Sequence, residues 1–140
     1  MKKYQWNQTL SSELYEKHKK IIERKMCYNN IFNIFSEYPE KFYSGEWKIA
    51  YGYVSLMENI YCRHCFILVN DMVVDPTLIN NSLLNDQDKI YYTFKIFETA
   101  KEYIDALEKE NGLPALYTLL RFEDGDMQKW GKENGIFCVG

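Results

Sequence analysis

The sequence predicts an α+β fold in which N-terminal helices pack on a small antiparallel sheet. Three observations carry this. Apolar residues recur at helical spacing up to residue 38, β-branched and aromatic residues dominate from Trp47 to Phe97, and Asn70-Asp71 and Asp75-Pro76 punctuate that second region closely enough for a hairpin.

In chain order, Ser11-Ser12-Glu13 offers N-caps, and Leu10, Leu14, Ile21 and Ile22 recur at helical spacing, so residues 11–25 read as a helix. A second apolar helical face follows in Ile31, Ile34 and Phe35, with Phe32 beside it. It stops before Pro39, which biases Tyr38 away from helical geometry. No proline or glycine forces a break near Met26-Cys27, so two helices and one continuous helix both stay open. Residues 48–56, 60–70 and 72–75 read as strands, the last closed by Asp75-Pro76. A loop containing Asn80-Asn81 and Asn85-Asp86-Gln87-Asp88 leads to a fourth strand over 90–97, where Tyr92, Phe94 and Ile96 alternate with Tyr91, Thr93 and Lys95. Thr99-Ala-Lys-Glu102 is a capping box for a helix that runs to about Glu110, and Asn111-Gly112 stops it. Pro114 then opens a short helix through Arg121. The tail, with Gly125, Gly131 and Gly135, reads as mostly irregular with an edge strand at 136–139.

At 140 residues, 46% apolar and 16% aromatic, the chain is expected to form one domain over 1–140, with no repeat and no low-complexity linker. No run approaches the roughly 18 apolar residues that span a bilayer, and the basic start Met1-Lys2-Lys3 has no apolar segment behind it to make a secretory signal. A cytoplasmic location is the resulting expectation, and it makes the four cysteines thiols. A net charge of −3 offers no general attraction to nucleic acid, and the basic cluster at 17–25 reads as the solvated face of an amphipathic helix. Neither nucleic acid nor a membrane is expected as a partner.

The chemistry concentrates between His64 and Asp75. If Asn70-Asp71 is a two-residue hairpin loop, Val69 faces Met72 and counting back sets Phe66 opposite Asp75. His64 then shares the face of Phe66 and lies diagonal to Asp75, within reach of an imidazole and a carboxylate turned toward each other. The carboxylate would hold one ring nitrogen and leave the other for a thiol. A one-residue slip would put Asp75 on the opposite face and leave it a turn former before proline, with His64 an ordinary structural partner.

Of the cysteines, Cys27 precedes Tyr28-Asn29-Asn30-Ile31, the first turn of a helix if the chain breaks there. The positive end of the dipole would then favour the nucleophilic thiolate, whereas a small buried hydrophobe is the plainer reading. Cys62-Arg-His-Cys65 has a zinc-ligand spacing, with Cys138 and Cys27 or His64 as further ligands. Residues three apart on a strand point to opposite faces, however, so a shared metal is not expected. Cys62 shares the face of His64 as a secondary thiol, and Cys65 and Cys138 read as packing residues.

On these residues, Cys27 followed by His64-Cys-Phe66 and Val74-Asp75-Pro76-Thr77, with Tyr51-Gly52-Tyr53 before the histidine, the chain resembles the papain-like cysteine hydrolase superfamily, particularly its transglutaminase-like and compact microbial branches. The resemblance covers about residues 26–97 and implies a papain-like fold with a Cys27–His64–Asp75 triad acting on a protein or peptide-like amide, with no cofactor and no metal. It departs from papain in having no glutamine a few residues before Cys27. The backbone N–H of Cys27 is one oxyanion donor under this resemblance, and Asn29, Asn30 and Tyr53 are open as the second. The implied outcomes are peptidase, amidase, deamidase and transglutaminase-like chemistry. A noncatalytic binding protein on the same fold, such as a phage-type protein engaging a host factor, is the alternative, and a zinc-stabilised module built on Cys62 and Cys65 is a third.

Overall fold

A computed structural model describes residues 2–79, 89–120 and 123–139. The fold is α+β. A short strand β1 (Lys3–Trp6) leads into helix α1 (Gln8–His18), α2 (Cys27–Glu37) and α3 (Pro39–Tyr43). Strands β2 (Trp47–Met57), β3 (Ile60–Val69), β4 (Met72–Val74) and β5 (Tyr91–Phe97) follow, then α4 (Ala100–Lys109), α5 (Tyr117–Leu120), α6 (Gly125–Asn134) and β6 (Phe137–Val139). No helix among the described residues is long and apolar enough to cross a membrane.

The expected small antiparallel sheet needs correction. Strands β2, β5, β1, β4 and β3 are neighbours in that order, and β2 also pairs with β3, so the five close into a ring with β6 added beside β3. Two pairings are parallel, β1 with β4 and β3 with β6. The element that sequence reading missed is β1, four residues with no turn signal around them, which fills the space between β4 and β5 and closes the ring.

The ring has two apolar faces. Tyr4, Ala50, Val54, Phe66, Leu68, Val73 and Tyr91 fill its interior. On the outside, Trp47, Ile49, Tyr51, Cys65, Ile67 and Phe97 are covered by Ile31, Ile34 and Phe35 of α2, Phe42 of α3, and Tyr103, Ala106 and Leu107 of α4. The alternation expected along β5 breaks at a bulge, because Tyr51 pairs with Lys95 and Gly52 with Thr93, which leaves Phe94 as the extra residue. Gly52 is required there: a Cβ would collide with the Tyr92 carbonyl of β5.

Helix α1 is capped by Asn7, whose Oδ1 accepts from the Leu10 N–H at 3.0 Å, so it begins earlier than the Ser11-Ser12 caps suggested and ends at His18 rather than near residue 25. The chain does break before Cys27, with Lys25 in the left-handed region at φ 65°. Thr99 caps α4 as the capping box predicts, accepting from the Glu102 N–H at 3.1 Å. The short helix opens at Tyr117 rather than at Pro114, after Leu116 at φ 52°, and Arg121 lies outside the described residues, as does the loop at 80–88. The tail is not irregular: α6 spans Gly125–Asn134 and is closed by Gly135 at φ 68°. Its glycines sit where a helix begins, packs tightly and ends, and these uses look like loop punctuation in a sequence.

Candidate active site

The hairpin after β3 turns on Asn70 and Asp71, with φ of 52° and 60°, the paired positive values of a tight two-residue loop. Val69 pairs with Met72, Leu68 with Val73 and Ile67 with Val74, the register expected from the loop length. His64 and Asp75 consequently share a face, and His64 Nε2 donates to Asp75 Oδ2 at 2.8 Å. The ring of His64 stacks beside Phe66 at 6.3 Å.

Cys27 comes from the helix layer. It is the first residue of α2, whose N-cap Met26 makes no side-chain capping bond, so the orphan amides of the first turn lie around the thiol. Its sulfur lies against His64, near enough to favour the protonated ring. Because Nε2 is engaged by Asp75, the ring atom left for Cys27 is Nδ1.

These side chains meet at a gap in the ring. The outer edge of β3 carries β6 at Ile60–Cys62 and β4 at Ile67–Val69. Among the described residues no strand pairs with 63–66 on that edge, and His64 is in this interval. Burial is deep: Cys27 is 7% exposed, His64 5% and Asp75 0%.

The electrostatics follow from that burial. Desolvation pulls the His64 imidazole down, but the adjacent Asp75 carboxylate and the Cys27 sulfur outweigh it and hold the ring well above the usual histidine range. Desolvation pushes Asp75 up, and the opposing charge and hydrogen bond of His64, the Tyr91 hydroxyl and the charge of Lys89 together bring it below the usual carboxylate range. The pair is therefore an imidazolium and a carboxylate that stabilise each other.

Several partners of Asp75 were not singled out from sequence. Tyr91 Oη donates to Asp75 Oδ2 at 2.7 Å, the Thr77 N–H donates to Oδ1 at 3.2 Å, and the Asp75 N–H donates to Ser11 Oγ at 2.9 Å. Ser11 is completely buried; it accepts from Trp6 Nε1 at 3.1 Å and donates to the Asn7 carbonyl at 2.7 Å. The DPT phrase signals Thr77, whereas Ser11 reads as a cap and Tyr91 as one aromatic among many.

Two of the three open oxyanion donors are committed elsewhere. Asn30 Nδ2 donates to the Glu23 carbonyl at 2.7 Å and to Thr77 Oγ1 at 3.1 Å, while its Oδ1 accepts from the Glu23 N–H at 2.9 Å, so it ties the segment before α2 to the segment after β4. Tyr53 Oη donates to Asp124 Oδ2 at 2.6 Å and accepts from Gln128 Nε2 at 2.7 Å, anchoring α6 on the sheet. Asn29 is exposed on the first turn of α2.

Cys62 and Cys65 lie on one continuous strand with no turn between them. Cys62 is half-buried on the face of His64, and Cys65 is fully buried in the helix-side core, where desolvation pushes its thiol up. Among the described residues no three His, Cys, Asp or Glu side chains gather in a way that would hold a metal ion. In comparisons with known proteins, no family model, curated sequence or solved structure matched the chain.

Proposed function

We propose that this chain is a cysteine-dependent acyl-transfer enzyme with a papain-like fold, acting on the amide bond of a protein or peptide-like substrate through Cys27, His64 and Asp75. The observation that carries the reading is the meeting of three separate elements at one point: a thiol at a helix start, an imidazole on the adjoining strand, and a carboxylate bonded to the far side of that imidazole at 2.8 Å.

In the first step Cys27 Sγ, its proton already held on His64 Nδ1, bonds to the amide carbonyl carbon, while the carbonyl π electrons move onto oxygen. The Cys27 N–H, an orphan donor of the first turn, faces the developing oxyanion. Collapse breaks the C–N bond, the leaving amine takes the proton from His64, and an acyl thioester remains on Cys27. Water attacks the thioester as His64 removes its proton and yields an acid, or an amine attacks and yields a new amide. Asp75 carries no proton in these steps; it holds Nε2–H and offsets the imidazolium charge.

The test is labelling with a peptide-based thiol-reactive probe at pH 7, read by the mass of each cysteine-containing peptide. Cys27 should be modified ahead of Cys62, Cys65 and Cys138, and Cys27→Ala should abolish turnover while the chain stays folded. Turnover retained by Cys27→Ala rules the reading out. One observation favours a noncatalytic binding protein instead: Cys27 is only 7% exposed. Failure of the probe to single out Cys27 would support that second reading.

A further inference from the structure

We infer that Tyr91 is a positioning residue of this site: its phenol fixes the Asp75 carboxylate so that Nε2–H of His64 stays directed at Asp75 and Nδ1 stays turned to Cys27. The inference rests on the acyl-transfer reading and adds a fourth member to it.

Tyr91 is fully buried inside the ring on β5, while Asp75 follows β4 and His64 is on β3. Its ring meets Phe66 edge-on at 5.1 Å, and Phe66 in turn stacks beside His64, so the phenol is held from the same side as the imidazole it serves. Core packing accounts for the ring but not for the hydroxyl, which a phenylalanine would lack without losing apolar contact. The hydroxyl is placed on one atom, Asp75 Oδ2, at 2.7 Å, and that atom also accepts from His64 Nε2 at 2.8 Å.

A carboxylate without solvent keeps its charge only through the donors around it. Oδ1 has the Thr77 N–H, and Oδ2 has His64 and Tyr91. Without the phenol, His64 is the donor that remains to Oδ2 among the described residues. The carboxyl then takes up a proton at higher pH, the imidazolium loses its counter-charge, and the thiolate–imidazolium pair loses support. Among the described residues, the other titratable groups facing this cluster are Cys27 from α2, Cys62 and Cys65 from β3, and Lys89 before β5, whose charge also acts on Asp75; Tyr51 of β2 faces Cys65. Among them, Tyr91 is the group whose hydroxyl bonds the oxygen that accepts from His64.

The experiment uses iodoacetamide and needs no substrate. The rate of Cys27 carboxamidomethylation is followed from pH 5 to 9 in the whole chain by peptide mass. In Tyr91→Phe the acid limb of the profile should move to higher pH, with Cys27 reactivity at pH 6 lowered about five- to tenfold and wild-type reactivity regained near pH 9. Tyr4→Phe, which takes the hydroxyl from a neighbouring tyrosine of the same interior that makes no bond to Asp75, should leave the limb in place. Site-specific 3-fluorotyrosine at position 91, a stronger donor of nearly the same size, should move the limb the opposite way and tests the idea even if Tyr91→Phe folds poorly. An acid limb unmoved by either change, while Asp75→Asn does move it, makes Tyr91 a packing residue and leaves the triad standing. A wild-type profile in which Cys27 reacts no faster than Cys62 overturns both.

Discussion

At the scale of single residues, the pair His64–Asp75 makes the sharpest predictions. Asp75→Asn keeps the volume and the local turn bonding but removes the charge and presents an amide to Nε2. Turnover should fall on the order of 10³–10⁴-fold, as measured by kcat on any amide substrate the wild type cleaves; a variant of normal rate would reduce the site to a Cys27–His64 dyad. Stability should carry its own signature. Asp75 is held below the usual carboxylate range, so its contribution is present above about pH 3.9 and is lost as pH falls through its folded value. His64 is held above the usual histidine range, so its contribution is complete below about pH 6.5 and is lost as pH rises through its folded value. The stability deficit of Asp75→Asn should thus be greatest between about pH 4 and 6.5, and denaturant titrations at pH 5 and pH 9 will compare it. His64 and Asp75 were legible in the sequence because a two-residue loop fixes strand register by counting. Ser11 was misread, since serine near a helix start is ordinarily a cap, and nothing local marks it as the acceptor for an N–H more than sixty residues away.

Among the elements, the β2–β5 pair illustrates how much backbone approach matters. The Gly52→Ala methyl group would have to displace the β5 backbone at the bulge, and thermal unfolding should register a loss of about 3 kcal/mol or more. Gly125→Ala is the control: a Cβ there meets nothing within 4 Å, so the change should stay within about 1 kcal/mol. Equal losses from the two would remove the close-approach argument. Element identity was readable wherever periodicity ran long, as in α2 and β3. It was lost in β1, too short to show alternation, and in α6, where Gly125, Gly131 and Gly135 resemble loop residues although the helix uses each of them. The break before Cys27 carries no breaker residue; tertiary bonds from Asn30 to Glu23 hold the turn instead, and local sequence does not display them.

For the whole molecule, the order in which the ring closes is set by chain separation. Strand β1 pairs Gln5 with Met72 and Tyr4 with Tyr91, the most distant pairings in sequence within the five-strand ring, whereas β2 and β3 form a hairpin. Loop-closure entropy therefore makes β1 the last strand of the ring to dock. Tyr4→Ala, which empties a place inside the ring, should cost about 3–4 kcal/mol, and stopped-flow measurements should find most of it as faster unfolding with little change in the folding rate. A slowed folding limb would put β1 in the nucleus. The gap along β3 has a further consequence. β4 stops at Val74, one residue short of Asp75-Pro76, and a proline has no N–H to offer a neighbouring strand. Asn30 then draws Thr77 toward α2. Were the chain to run straight on from β4, the same register would carry Pro76 past Cys65 and Thr77 past His64, zipping the edge shut over the imidazole. Pro76 takes no part in the ladder, yet it acts as a doorstop: the edge beside His64 stays uncovered because one residue is unable to continue the pairing.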